Sequence, residues 1–291
     1  TAGLGAARTV ASHYSVMVKG LSQLFAAGPA VAAAIGETVD KEQLGGTEIH
    51  CRNGVVDEEV ASEADAFAVR SHRNAAAAWD AGKFDAQLVP IEVPQRKGDP
   101  IVFDRDEGFR ADASMESLGK LRAIEAKSNP DAVVTAGNAS QQNDAAAACL
   151  VVAEDRLEEL GLEPMLWFSG YAAAGCDPSR MGIGPVPAVE RLFARTGMGW
   201  DDIEMVELNE AFAPQVLAVL KGWGWSKDDS RLDLLNVNGS GISLGHPIGA
   251  TGGRILADMA HEMHRRSARY GLETMCIGGG QGIAAIFERA A

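Results

Sequence analysis

Residues 236–254, NVNGSGISLGHPIGATGGR, contain six glycines and a single histidine, His246, and they run directly into the helical pattern ILADMAHEMHRR. Glycine is used where the backbone needs a positive φ or must approach another group closely. We therefore expect this stretch to present His246 to a bound substrate just before a helix begins. The alternative is a glycine-rich connection from a strand to a helix, in which the histidine is incidental.

Two further segments carry polar residues at the ends of apolar runs. Residues 209–212 (NEAF) follow the apolar run upstream, and residues 276–282 (CIGGGQG) end the one downstream. In α/β proteins the carboxyl ends of strands are where ligand chemistry collects. Local patterns predict helices at residues 66–81, at residues 114–120 and from Asn209, and strands at residues 133–136 and 205–208. Strands alternate with helices from residue 164 onward, which predicts a layered α/β sheet.

Together these three segments resemble the thiolase family, whose members make and cleave 3-ketoacyl-CoA thioesters. The resemblance extends upstream through MGIGPVPA (181–188), VTAGNASQQNDAAAA (134–148) and AFAVRSHRNAAAAWDAGKFDAQLVPI (66–91). It implies a thiolase-like layered α/β fold with its second half complete in residues 164–291. Residues 66–163 would supply the loop region and the end of the first half, most of which is expected to be missing.

Residues 1–65 resemble a different family, the carboxyltransferase subunit of biotin-dependent acyl-CoA carboxylases, which has a crotonase-type fold. The likeness rests on AGP at 27–29, LGG at 44–46, and His50 followed by Gly54 and an acidic run. We expect a small helical fragment here, with helices over residues 4–25 and 30–35, and hence a chimaeric chain. The absence of an initiator Met is in keeping with a fragment, and a lineage-specific N-terminal extension is the alternative.

The thiolase resemblance implies the chemistry of four residues. His246 would activate a nucleophilic cysteine and polarise the thioester oxygen. Cys276 would take the α-proton of the acetyl group, which requires a thiol pKa lowered by glycine amides and a helix end. Asn209 would hold a water that forms one oxyanion hole with His246, and the Gly278 amide would donate to a second. The alternatives are a capping or core histidine, an inert buried cysteine at a strand end, and an asparagine that caps a helix.

Three more residues would bind or orient the substrate. The resemblance places Ser140 near the pantetheine of CoA and Met181 along the acyl pocket. Glu210 would orient neighbouring polar groups.

Thiolases also need a second cysteine, which is acylated and lies in a short Cys-x-Ser-Gly-type loop of the first half. No such loop occurs in the sequence, where Cys51 lies in the carboxyltransferase-like segment, Cys149 in an alanine run and Cys176 in a turn. We therefore expect acyl transfer to be impaired. The alternatives are a non-catalytic CoA-binding remnant and a carboxyltransferase fragment.

Composition narrows the partners and the location. The chain has 26 Lys and Arg against 40 Asp and Glu, and the net charge of −14 argues against a nucleic-acid surface. No apolar run is long enough to span a bilayer, and the start lacks a signal-peptide pattern, so a cytoplasmic protein is expected. The scattered cysteines predict neither a disulfide scaffold nor a metal site. By resemblance the partners are acyl-CoA and CoA, with no bound cofactor, and the chain forms a homo-oligomer, a dimer or a tetramer.

Overall fold

The computed structural model describes residues 63–129, 132–226 and 229–291, and the backbone of two short upstream strands. These strands, β1 (Val16–Val18) and β2 (Glu58–Val60), pair in parallel. The helix predicted over residues 4–25 is therefore wrong at Val16–Val18, where β-branched residues favour an extended backbone. The rest of that helix, the helix at 30–35 and the other features of the expected crotonase-type fragment lie outside the described residues.

The remaining elements follow in chain order. The helices are α1 (Glu63–Asp80), α2 (Met115–Leu118), α3 (Leu157–Leu160), α4 (Pro185–Thr196), α5 (Ala213–Gly222), α6 (Gly241–Leu244) and α7 (Thr251–Arg266). The strands are β3 (Ile91–Val93), β4 (Ile101–Phe103), β5 (Leu166–Gly175), β6 (Met205–Leu208), β7 (Tyr270–Ile277) and β8 (Gln281–Arg289). Short 3-10 segments occupy Glu154–Arg156, Pro178–Ile183, Trp200–Asp202 and Ser230–Leu234.

A four-stranded sheet in the order β5-β8-β7-β6 organises the C-terminal part of the chain. Strand β8 runs antiparallel to both of its neighbours, while β6 and β7 run parallel. A parallel bridge from Val206 to Leu235 continues the pairing beyond β6. Because β6 and β7 are parallel, the residues that follow them meet at the same edge of the sheet.

Helices cover both faces of this sheet, as the α/β pattern predicted. On one face Leu192 of α4 packs with Leu272 and Ile286 of the sheet, and all three are fully buried. On the other face Met259 and Met263 of α7 pack against Met205 of β6 (with Ala268 in the same cluster). Successive side chains along a strand point to opposite faces of the sheet, so consecutive residues of β6, and likewise of β7, face different helices.

The helix α1 joins the upstream part of the chain to this core. Its residues Phe67 and Ala68 belong to the main core, and Trp79 packs with Phe84 and with Leu244 of α6. The helix α1 therefore packs against the glycine-rich stretch at residues 236–254.

Residues 132–153 cross the surface without forming a strand in the structure. The buried strand predicted at residues 133–136 is wrong, because the only buried side chain there is Thr135 and the backbone turns around Asn138. The alanine-rich run that follows forms neither a helix nor a strand, and Leu150 and Val151 are 77% and 91% exposed.

Candidate active site

Asn209 is the first residue after β6, and it is fully buried. Its backbone N–H donates to the carbonyl of Thr274 at 3.0 Å, which continues the pairing of β6 with β7. Its side chain reaches the imidazole of His246, with 3.4 Å between Nδ2 and Nε2. Gly241 permits this position, because a Cβ there would lie 2.8 Å from Oδ1 of Asn209 and 2.7 Å from the carbonyl oxygen of Glu210.

The residues after Asn209 form a loop rather than the helix predicted to begin there. Helix α5 starts only at Ala213, with Phe212 as its N-cap. Phe212 forms an antiparallel bridge with Ala139, and the N–H of Ser140 donates to the carbonyl of Ala211 at 2.9 Å. The pairing of Phe212 with Ala139, which is distant in sequence, replaces the first turn of the predicted helix. Local helix propensity gives no information on such a pairing.

His246 lies between α6 and α7 and is partly buried. Its backbone N–H donates to the carbonyl of Gln141 at 3.0 Å, and its Nδ1 lies 2.7 Å from Oγ1 of Thr251. Burial lowers the pKa of His246, and the positive charge of Arg254 lowers it further. The imidazole is therefore neutral at pH 7, the form that can accept a proton.

Cys276 lies near the end of β7, opposite Gly282 of β8. Leu208 of β6 is in register with Thr274, so Cys276 lies about 7 Å further along β7, at the edge reached by Asn209. Burial raises the pKa of the Cys276 thiol, an effect that its own backbone N–H opposes and that nearby Cys176 increases. This direction is opposite to the lowered pKa that the acid/base role of Cys276 requires, because the loss of water outweighs the amides.

Residues 278–280 form the turn between β7 and β8. Gly278 is exposed, and a Cβ there would meet no atom within 4 Å, so a ligand could approach its amide. Gly279 and Gly280 have φ angles of 90° and 89°, which favour glycine. The carbonyl of Gly280 accepts the N–H of Cys176 at 2.7 Å, which fixes the turn to the end of β5.

Met181 lies in the 3-10 segment Pro178–Ile183 and is partly buried. Its carbonyl accepts the N–H of Gly184 at 3.0 Å and lies 3.9 Å from Sγ of Cys176. Met181 is therefore on the Cys176 side of the glycine turn.

Glu210 is completely buried beneath the loop. Its carboxylate accepts hydrogen bonds from Ser71 Oγ at 2.5 Å, Asn236 Nδ2 at 2.9 Å and the N–H of Ile242 at 3.3 Å. Burial raises the pKa of Glu210, while these bonds and Arg70 oppose the rise. This placement suits the orienting role expected for Glu210, and it ties β6 to α1 and α6 rather than opening toward a ligand.

A groove of 570 Å³ opens beside His246. One wall is residues 142–147 and the other is residues 246–250. Ser140 and Gln141 lead directly into the first wall, so the structure brings the Ser140 loop, Asn209 and His246 together. The volume is within the range of small-molecule sites.

Two glutamates point from the sheet toward α7. Glu207 and Glu273 stand opposite each other in register, and neither carboxylate oxygen of Glu207 has a hydrogen-bond partner in the described residues. Burial raises the pKa of Glu207 well above its usual value, with a further contribution from Asp258. Burial raises the pKa of Glu273 to about 8, although Arg254 opposes this. At neutral pH Glu273 is therefore mostly protonated.

Several residues around the site were missed by sequence reasoning. Thr251 and Gln141 contact His246, and Glu207 and Glu273 are acids inside apolar strands. Thr251 lies five residues after His246 in the same motif, so a hydroxyl at the start of the predicted helix was an available signal. The glutamates inside the apolar runs MVEL and GLETMC, which are Glu207 and Glu273, were a second available signal.

None of the three described cysteines forms a hydrogen bond with His246, whose ring nitrogens contact Asn209 and Thr251. Cys51 lies outside the described residues. Within the ranges that the structure describes, no group of three or more His, Cys, Asp and Glu residues could hold a metal ion. In the same ranges no helix is long and apolar enough to cross a bilayer.

Comparison with known families gives two matches in order along the chain. The family described as "Thiolase, N-terminal domain" matches residues 47–155, and "Thiolase, C-terminal domain" matches residues 162–289. The first match begins at residue 47, inside the segment that was expected to be carboxyltransferase-like, so residues 47–65 match the thiolase family. The domain boundaries and the chimaera stay predictions.

Individual relatives agree with this assignment. An acetyl-CoA acetyltransferase of Chromobacterium violaceum is 51% identical over 227 residues, covering 78% of this chain and 56% of the relative. A beta-ketothiolase of Cupriavidus necator is 49% identical, covering 81% of this chain and 60% of the relative. The chain thus spans a little over half the length of these relatives.

Solved structures show the same fold. The crystal structure of a Bacillus anthracis acetyl-CoA acetyltransferase aligns with a TM-score of 0.73 at 42% identity, covering 78% of this chain and 56% of that one. Human mitochondrial 3-ketoacyl-CoA thiolase in complex with CoA aligns with a TM-score of 0.70 at 37% identity, covering 84% of this chain and 57% of that one. The α/β thiolase-like fold is therefore confirmed, while the extent of the first half stays a prediction. Because both thiolase family models match this chain and the relatives are up to 51% identical to it, the chain belongs to the thiolase family.

Proposed function

We propose that this chain carries the proton-transfer part of a thiolase-type acyl-CoA C-acyltransferase site, which acts on 3-ketoacyl-CoA and CoA. The observation that carries the proposal is the 3.4 Å contact between Asn209 and His246 at the sheet edge that also bears Cys276. Relatives named acetyl-CoA acetyltransferase, and a human thiolase in complex with CoA, support this ligand class.

The proposed chemistry divides between the two sides of the groove. The thiolate of Cys276 takes a proton from the α-carbon of the acetyl group, so that an enolate forms as the thiolate becomes a thiol, and the thiol later returns the proton to carbon. His246 and a water held by Asn209 donate to the developing oxyanion, and the Gly278 amide donates to a second oxygen. Ser140 would contact the pantetheine and Met181 the acyl group.

The acyl-transfer step additionally needs a nucleophilic cysteine close to His246. In the described ranges none of the cysteines bonds to that ring, so we propose that thiolysis by this chain is impaired while proton exchange is retained. A non-catalytic CoA-binding remnant is the second candidate, and the raised pKa of Cys276 favours it, because a protonated thiol is a weak base. The third, a carboxyltransferase fragment, depends on residues 1–65, nearly all outside the described ranges.

Two assays on one sample separate these functions. Thiolysis is followed as loss of acetoacetyl-CoA in the presence of CoA, and proton exchange as deuterium incorporation into the methyl group of acetyl-CoA in D2O. We expect no thiolysis, and an exchange rate that Cys276→Ala abolishes and Cys149→Ala, at an exposed cysteine, leaves unchanged.

Other results would change the assignment. Thiolysis that is lost in Cys276→Ala would mean that another cysteine of this chain serves as the nucleophile. No exchange by a folded sample that still binds CoA in calorimetry would favour the non-catalytic remnant.

A further inference from the structure

Both ring nitrogens of His246 have a neighbour. Nδ1 lies 2.7 Å from Oγ1 of Thr251, and Nε2 lies 3.4 Å from Nδ2 of Asn209. A neutral imidazole carries one N–H, so one nitrogen donates a hydrogen bond and the other accepts one. The identities of the two neighbours therefore determine where the proton resides.

The Asn209 amide is oriented with Nδ2 toward the ring, and its Oδ1 has no hydrogen-bond partner in the described residues. In this orientation Nδ2 can only donate, which requires Nε2 to be the acceptor. The proton must then be on Nδ1, and a hydroxyl, which can accept, faces it. We infer that Thr251 is a positioning residue, which holds the imidazole proton on Nδ1 so that the lone pair of Nε2 faces Asn209. Its catalytic meaning rests on the function proposed above.

Thr251 is well suited to hold this proton because it is rigid. It is the first residue of α7, it is fully buried, and its β-branched side chain restricts rotation about χ1. One turn further, Ile255 anchors the helix in the interior. The hydroxyl is thus fixed by α7, while Asn209 is fixed by β7 through the carbonyl of Thr274.

This arrangement prepares His246 to accept a proton at Nε2. Once Nε2 is protonated, both ring nitrogens donate, and the Nε2–H then faces an amide N–H with which it cannot bond. The contact with Asn209 is expected to open, which makes the Nε2–H available to a thioester oxygen. Thr251 would keep its bond in both states and so act as the pivot of the ring.

The test reads the ring directly, without substrate. The protein is labelled with 15N-histidine, and long-range 1H–15N NMR spectra at pH 7.5 distinguish the protonated from the bare ring nitrogen. His246→Gln identifies the signals of this ring among those of the six histidines. We expect the wild type to carry its proton on Nδ1.

Two variants of Thr251 distinguish the effect of its hydroxyl group from the effect of its side-chain shape. Thr251→Val removes the hydroxyl and keeps the branched shape, and it should convert the Nε2–H form from the minor to the major tautomer. Thr251→Ser keeps the hydroxyl and should retain the wild-type spectrum. A wild type with its proton on Nε2, or a Thr251→Val ring that keeps Nδ1–H, would overturn the inference.

The exchange assay adds a functional readout. Because exchange needs Nε2–H as a donor to the enolate oxygen, Thr251→Val, in which that tautomer is the major one, should speed deuterium exchange into acetyl-CoA by about 10- to 100-fold, and Thr251→Ser should match the wild type. Equal exchange rates in the wild type and Thr251→Val would also overturn the positioning role. If the wild type shows no exchange, the proposed function fails, while the NMR spectra still decide the tautomer.

Discussion

Replacing Glu273 with Gln should remove a pH-dependent loss of stability. Burial raises the pKa of Glu273 to about 8 in the folded chain, against a usual value of 4.5. The unfolded chain therefore releases this proton above pH 4.5, whereas the folded chain keeps it until about pH 8. Folding must then take up a proton, which becomes less favourable as the pH rises.

The size of the effect follows from that difference. Stability from this residue is fully present below pH 4.5 and is lost as the pH rises to about 8, beyond which the loss is constant. Each pH unit inside this window lowers the free energy of unfolding by about 1.4 kcal/mol. Between pH 5 and 8 the full shift would amount to roughly 3.5 kcal/mol. Because Glu273 is partly exposed, we expect about 2–3 kcal/mol.

Urea unfolding at pH 5, 6, 7 and 8 measures this directly. The free energy of unfolding of Glu273→Gln, relative to the wild type, should rise by about 2–3 kcal/mol across the series. Glu158→Gln, at an exposed glutamate of α3, should stay within about 0.5 kcal/mol of the wild type throughout. A constant difference between Glu273→Gln and the wild type at every pH would refute the reasoning, since Glu273 would then titrate alike in both states.

Three further substitutions test the packing around the site. Gly241→Ala should lower the free energy of unfolding by about 2–3 kcal/mol, because the added methyl group would overlap Asn209. The control Gly249→Ala, where the methyl group would meet no atom within 4 Å, should lower it by less than about 1 kcal/mol. Equal losses of the two variants in urea unfolding would contradict the overlap. Asn236→Ala should lower the free energy of unfolding by about 3 kcal/mol, because the Asn236 side chain bonds to both the N–H and the carbonyl of Leu208, the last residue of β6. A decrease of less than about 1 kcal/mol would argue against this role. Ser267→Gly should raise the free energy of unfolding by about 1 kcal/mol, because φ is 56° at the C-cap of α7, and an unchanged melting temperature would count against it.

Elements with a clear local pattern were predicted well. The strand expected at Met205–Leu208 is observed with those bounds, and the helix expected at residues 66–81 is observed as Glu63–Asp80. In both, the pattern of apolar residues reports directly which side is buried. The short helix expected at residues 114–120 is observed as Met115–Leu118, with Ser114 as its cap.

The errors arose where distant residues decide the backbone. The strand predicted at residues 133–136 has no partner strand in the described ranges, and the helix predicted from Asn209 gives way to a bridge between Ala139 and Phe212. An apolar run or a polar cap is only a local preference, and pairing with another segment overrides it.

The sequence by itself determined the family and which segments meet at the candidate site, because glycine spacing and polar residues at strand ends are visible in the order of residues. Only the tertiary structure decided the protonation of those residues. The Cys276 thiol has a raised pKa, His246 a lowered one, and Glu273 keeps its proton to about pH 8. A pKa depends on the water removed and on charges brought near by folding, such as Arg254 beside His246. Those neighbours come together only in the folded chain.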